Sequence, residues 1–241
     1  MAEQRRILIT GSTRGIGLAI AERFAASGDE VLLNYAHNKE QALDALAKIR
    51  RTSRGTSLIR ADVTFESDVI SLVTQATSSA PIDVWINNVG PFLYKPYSGV
   101  TVDEWQSTLD ANLLSVFLCC REILPSMRKV ERGVILNLAT MAAGAIRPTP
   151  NTLPYAIAKM GVVMLTKTLA KEEARHGIRI NAIAPGFVEG GDYPPEDIQA
   201  TIPLGRLVRS VEVSAAAHFL ASEDAASITG AVLDVNGGAL L

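Results

Sequence analysis

The sequence predicts an α/β protein on a doubly wound, mainly parallel sheet of Rossmann type, with helices on both faces. Three observations carry this. Short apolar, β-branched runs alternate with stretches of helical spacing along the whole chain, the pattern of βαβ units. The first run, Ile7–Thr10, breaks into a glycine-rich turn, Gly11-Ser-Thr-Arg-Gly-Ile-Gly17, before helical spacing resumes. Of the 241 residues, 48% are hydrophobic and 20% charged, which suits a large core covered on two sides. No linker, internal repeat or low-complexity tract divides the chain, so one domain over residues 1–241 is expected, with nucleotide-binding and catalytic residues together.

Strand one lies near Ile7–Thr10, and its helix runs from Gly15 to about Ser27, closed by Gly28. Strand two, Glu30–Asn34, leads to a helix over Lys39–Arg51. Strand three, Ser57–Arg60, precedes Ala61-Asp-Val-Thr64 and a helix from Ser67. Strand four, Val84–Asn87, ends in Asn87-Asn-Val-Gly90. A long helix is expected over Val102–Arg121, stopping before Pro125. Strand five, Gly133–Leu138, enters a loop holding Pro148, Pro150 and Pro154. A second long helix covers Tyr155–His176, ended by Gly177. Strand six is Ile178–Ala184, then a proline- and glycine-rich stretch reaches Pro203. A helix at Val211–Ala221 and a strand at Ala231–Val235 complete the pattern.

The bulk properties exclude several classes. A net charge of −2 gives no nucleic-acid surface. No apolar run reaches membrane length, and the first residues lack the apolar core of a signal peptide, so no membrane partner and a cytoplasmic location are expected. Cys119 and Cys120 are neighbours without metal or redox spacing and read as buried thiols in a reducing compartment. His37, His176 and His218 are scattered singly, so neither a metal site nor a histidine base is expected.

Strand, glycine turn and helix form a recipe for holding a pyrophosphate. Gly11 lets the chain turn, and the backbone through Thr13, Arg14, Gly15, Ile16 and Gly17 can approach phosphates at the helix N-terminus. The spacing is not that of a Walker loop, and a tight turn without ligand is the competing reading. Strand two ends Asn34-Tyr35-Ala36-His37-Asn38-Lys39, with no carboxylate where a dinucleotide fold that prefers NAD places one. A 2′-phosphate is therefore not repelled, and Arg14, His37 and Lys39 can supply charge or donors to it, unless all three are solvated surface residues. NADP(H) is the expected cofactor. Asp62 and Val63 can meet an adenine, or Asp62 only caps a turn. Asn88 and Gly90 can fix a loop beneath the cofactor, or Asn87-Asn-Val-Gly90 is an ordinary asparagine turn. Tyr155 and Lys159, four apart, share a helix face, and an ammonium beside a phenol stabilises the phenolate for acid–base work.

These residues resemble those of the short-chain dehydrogenases/reductases in their compact single-domain form. The likeness rests on Thr10-Gly11-x-x-x-Gly15-x-Gly17, Asp62-Val63, Asn87-Asn88-Val89-Gly90, Asn112, Tyr155-x-x-x-Lys159, Asn181, Pro185-Gly186, Ile228-Thr-Gly230 and Asn236-Gly-Gly238. Within the family the chain looks most like β-ketoacyl-carrier-protein reductases, through Thr13-Arg-Gly-Ile-Gly17, Ile202-Pro-Leu-Gly-Arg206 and Phe219-Leu-Ala-Ser222. The resemblance implies hydride transfer to a carbonyl carbon while Tyr155 protonates its oxygen. It further implies that Lys159 holds the nicotinamide ribose, that Asn112 anchors a proton-supplying water chain, and that Pro185, Gly186 and Val188 meet the nicotinamide end.

The sequence also departs from the family. It has no serine between Ser126 and Ser210, and Thr140 takes the place of the serine that bonds the substrate oxygen. Ala143 replaces a glycine, Val89 an alanine, and Gly190 stands where a threonine often contacts the cofactor. Glu131 and His176 stand where carrier-protein reductases tend to have arginines, with Arg132 and Arg175 adjacent.

The expected activity is NADPH-dependent reduction of a ketone, with a 3-oxoacyl thioester on acyl carrier protein or CoA as one substrate class. An alcohol or sugar dehydrogenase is the alternative, and a non-catalytic dinucleotide sensor a third. Reduction of a C=C bond is disfavoured, because Val162 sits where the family's enoyl reductases carry the lysine. The loop from Phe187 to Thr201 is expected to close over substrate. Surplus apolar residues in Leu113–Cys120, Met160–Leu165 and the tail Ala231–Leu241 predict a homotetramer.

Overall fold

Near-continuous apolar runs such as Ile7–Ile9 and Val84–Ile86 dictate a sheet buried on both faces, and the computed structural model, which describes residues 4–141, 143–191 and 198–240, has that architecture. The strands are β1 (Arg6–Ile9), β2 (Glu30–Tyr35), β3 (Ser57–Arg60), β4 (Val84–Asn87), β5 (Gly133–Leu138), β6 (Ile178–Pro185) and β7 (Val232–Val235). All neighbours pair in parallel, in the order β3-β2-β1-β4-β5-β6-β7.

Successive side chains point to opposite faces. Ile7, Ile9, Leu33, Val84 and Ile86 meet Ile20 and Phe24 of α1 (Gly15–Ala26), Ile49 of α2 (Lys39–Arg50) and Leu220 of α7 (Ser210–Leu220). Leu8, Leu32, Trp85, Ile135 and Ile180 meet Leu72 of α3 (Glu66–Ala76), with Ile123 and Val162 of the two long helices. The chain order reverses at β1, between β2 and β4, and the carboxyl ends of the strands open a crevice there. Among the described residues no helix is long and apolar enough to cross a membrane.

One boundary needs correction. The helix beginning at Val102 does not stop before Pro125. It runs as α4 (Val102–Leu109), a π-helical turn (Asp110–Leu114) and α5 (Ser115–Lys129), with Pro125 inside α5. Ile123, Leu124 and Met127 around the proline are buried, so tertiary packing outweighs the lost backbone hydrogen bond. The other boundaries hold or shift by at most three residues: α3 begins at Glu66, β6 extends to Pro185, and α6 (Leu153–Glu173) starts with Pro154 in its first turn and gives way to a 3-10 turn over Ala174–His176. Residues 192–197 of the expected covering loop, and Leu241, lie outside the described residues.

Candidate active site

The glycine turn is braced from both sides by asparagines. Asn34, buried at the end of β2, accepts from Gly11 N at 3.1 Å and donates to Ile59 O and Ala61 O at 3.3 and 3.0 Å. Its own N–H donates to Ser12 Oγ at 3.0 Å. Just after β4, Asn88 Nδ2 donates to the carbonyls of Thr10 and Gly11, both at 3.0 Å, and its N–H to Thr10 Oγ1 at 3.0 Å. A Cβ on Gly17 would lie 2.5 Å from Asn88 Nδ2 and 2.6 Å from Gly11 O, so no side chain fits there. Arg14 caps α1 in an extended conformation (φ −157°) without a side-chain acceptor for the first N–H groups. The result is a rigid cradle of backbone donors at a helix N-terminus, which fits the pyrophosphate of a dinucleotide.

Arg14 on the glycine turn, and His37 and Lys39 just beyond the end of β2, are exposed. His37 Nε2 lies 3.4 Å from Asp62 Oδ2. Asp62 Oδ1 accepts from Thr64 N at 3.0 Å and from Thr64 Oγ1 at 2.7 Å, so this carboxylate does cap a turn, the second of its two sequence readings. Val63 is buried beside it.

Across the crevice, α6 presents Tyr155 and Lys159 one turn apart. Lys159 is buried, its Nζ donates to Leu138 O at 2.7 Å and lies 5.6 Å from the Tyr155 ring centroid. Burial lowers its pKa to about 8. Phe92 meets Tyr155 edge-on, with centroids 5.1 Å apart. Asn112 sits in the π turn, a widened stretch that re-aims side chains and recurs at functional sites. Its Nδ2 donates to Pro91 O at 3.1 Å and Thr108 O at 3.0 Å, while its buried Oδ1 has no partner among the described residues. A Cβ on Gly90 would stand 2.5 Å from Asn112 Oδ1 and 2.8 Å from Lys159 Nζ. The orphaned acceptor and the ammonium thus converge on one small space that only glycine leaves open.

Thr140 stands half-buried at the mouth of β5, where Ala139 N and Met141 N donate to Ile183 O and Pro185 O at 2.8 and 2.9 Å. Among the described residues its hydroxyl has no hydrogen-bond partner, so it is not spent on local backbone. Gly186 N donates to Val235 O at 3.0 Å, and the segment around Val188 pairs with Val208. The structure therefore brings Asn112, Tyr155 and Lys159 together about Gly90, with Thr140 two residues beyond the Leu138 carbonyl that Lys159 bonds.

Sequence reasoning missed the scaffolding. Asn87 Nδ2 donates to Asn137 Oδ1 at 2.8 Å, and Asn137 Nδ2 to Thr166 Oγ1 at 2.9 Å, tying β4 and β5 to α6 two turns beyond Lys159. An asparagine inside an apolar strand is the signal that could have found it, since a buried amide must have partners.

A family model described as Enoyl-(Acyl carrier protein) reductase matches residues 11–239. The chain belongs to the short-chain dehydrogenase/reductase family. Within that family it is 38% identical to 3beta-hydroxysteroid dehydrogenase 1 of Eggerthella lenta, covering 98% of this chain and 94% of the relative. It is 34% identical to the 3-oxoacyl-(acyl-carrier-protein) reductase FabG of Staphylococcus aureus, over 99% of each chain. Among solved structures it is similar to gox2181, with a TM-score of 0.92 and 28% identity over 98% of this chain and 95% of that one. This short-chain dehydrogenase/reductase is thus an oxidoreductase by family.

Proposed function

We propose that the chain is an NADPH-dependent ketone reductase, acting in the cytoplasm as a homotetramer, with a 3-oxoacyl thioester carried on CoA or acyl carrier protein as its substrate class. The observation that carries the reading is the buried Lys159 ammonium beside Tyr155, facing the unpartnered Asn112 Oδ1 across Gly90. The residues that would hold the dinucleotide are Gly11, Thr13, Arg14, Gly15, Ile16 and Gly17 at the phosphates. Tyr35, Ala36, His37, Asp62 and Val63 would hold the adenosine half, Asn88 and Gly90 would lie beneath the dinucleotide, and Pro185, Gly186, Val188, Tyr155 and Lys159 would hold the nicotinamide half. A nicotinamide dinucleotide bound there supplies a hydride.

The Tyr155 hydroxyl gives its proton to the substrate oxygen, and the Lys159 ammonium stabilises the phenolate left behind. Asn112 Oδ1 accepts from a water that returns the proton through Lys159, and Thr140 Oγ1 donates to the carbonyl oxygen as charge develops there. A C=C reductase, as the family model's description suggests, fits less well: Lys159 lies one turn from Tyr155, and Val162, at the longer interval, is buried in the core. The apolar groove of about 600 Å³ between α4–α5 and α6, bordered by the exposed Phe117 and Met164, supports burial against a second copy. Cys119 and Cys120 are free and buried, and burial raises the Cys120 thiol to about 12, which suits a reducing compartment.

The second reading, oxidation of a ring-borne secondary alcohol, is favoured by the 38% identity to a hydroxysteroid dehydrogenase. NADPH consumption measured against 3-ketoacyl-CoA thioesters, diketones, sugars and 3-ketosteroids separates the two. Turnover with the thioesters supports the first reading, and turnover with 3-ketosteroids alone replaces it with the second.

A further inference from the structure

We infer that Arg60, at the end of β3, is a specificity-determining residue that clamps the 2′-phosphate of the dinucleotide together with Arg14; this rests on the NADPH reading above. The parallel register of β2 and β3 sets Tyr35 opposite Arg60. Ile59 is buried while Arg60 is exposed beside it. Its Nε donates to Ala36 O at 3.2 Å, which folds the side chain over the residues that follow β2. That contact occupies one of the five guanidinium donors.

Carboxylates neutralise most of the other arginines that the structure fixes: Arg5 pairs with Asp29, Arg6 with Glu30, Arg128 with Glu173 and Arg206 with Glu212. Among the described residues Arg60 has no carboxylate partner, and neither has Arg14. The acid next along the chain, Asp62, is turned to Thr64 and His37. His37, which the sequence offered as a donor to the phosphate, therefore faces a carboxylate, which leaves Arg14, Arg60 and the exposed Lys39 as the available charge, and of these only the two arginines present a planar pair of donors. The bonds from Gly11 N to Asn34 Oδ1 and from Asn34 N to Ser12 Oγ hold the glycine turn against β2. Arg14 and Arg60 thus stand on opposite flanks of the same strand end. A guanidinium binds a phosphate through two parallel N–H bonds, which a 2′-hydroxyl cannot accept in that way.

Isothermal titration of the unliganded protein with NADPH and with NADH tests this without relying on turnover. For the natural chain NADPH should bind about tenfold or more tightly than NADH. Arg60→Ala should raise the NADPH dissociation constant roughly tenfold and change that of NADH by less than about twofold, so the ratio collapses. Arg60→Gln, which keeps a polar group for Ala36 but no charge, should do the same, and Arg60→Lys should restore part of the ratio. If the natural chain prefers NADPH and both neutral variants keep its ratio, Arg60 is not the clamp and the NADPH reading stands. If the natural chain binds both dinucleotides equally, the NADPH reading fails and the clamp with it.

Discussion

Thr140 offers the sharpest separation of catalysis from structure. Its hydroxyl has no partner among the described residues, so replacing it removes no hydrogen bond from the fold. Thr140→Val keeps the branched shape and deletes only the donor, and Thr140→Ser keeps the donor and deletes a methyl group. One donor lost from a developing oxyanion costs about 1.4–4 kcal/mol, so valine and alanine should lower kcat/KM by about one to three orders of magnitude. Serine should retain most of the activity. Because the site is half-buried, melting temperatures should reflect changes of only about 0.5–1 kcal/mol. Steady-state kinetics on the four proteins, with thermal melts alongside, read both quantities. A valine variant within a few-fold of the natural enzyme would refute the reasoning, and the donor would then have to be a backbone amide.

Other consequences follow from the same geometry. With Lys159 held near pKa 8 by burial in the unliganded protein, the ammonium is present below that pH and lost above it, so kcat/KM for reduction should fall as pH rises through about 8. A flat kcat/KM profile to pH 10 would remove the lysine from the proton path. The same depressed pKa means that folding expels a proton from Lys159, so the unliganded protein gains stability as pH rises from about 8 towards 10.5. Lys159→Met should lack that gain in paired melts, and parallel curves would count against it. Gly17→Ala would drive a Cβ to 2.5 Å from Asn88 Nδ2, and should abolish dinucleotide binding measured by titration, at a folding cost of about 1–3 kcal/mol. Sedimentation at micromolar concentration should show a tetramer, which Met164→Glu in the α6 groove should dissociate; a natural chain that sediments as a monomer would overturn the proposed assembly.

The sheet was legible because its signal is periodic. Ile7–Ile9 and Val84–Ile86 alternate between two cores, and buried strands leave that mark in any sequence. The glycine turn and the Tyr155–Lys159 pair were legible because their spacing is short and local. What escaped depends on tertiary contact. Pro125 read as a stop, yet Leu124 and Met127 hold the helix together around it. The π turn that aims Asn112 has no local sequence signature. Asn34 read as one more strand residue until its four bonds to Gly11, Ser12, Ile59 and Ala61 appeared. Arg60 read as the last residue of a strand, because its link to Ala36 crosses between strands.

The central claim is that Tyr155 is the proton donor in carbonyl reduction, and Tyr155→Phe tests it most directly. The substitution keeps the ring that Phe92 meets at 5.1 Å and removes only the hydroxyl. NADPH titration and ketone reduction should be measured on the same preparation. The expected result is an unchanged dissociation constant for NADPH with kcat below about one per cent of the natural value, the loss of a general acid typically costing about 10²–10⁴-fold. A phenylalanine variant that binds NADPH normally and still reduces the ketone at more than a few per cent of the natural rate would contradict the account.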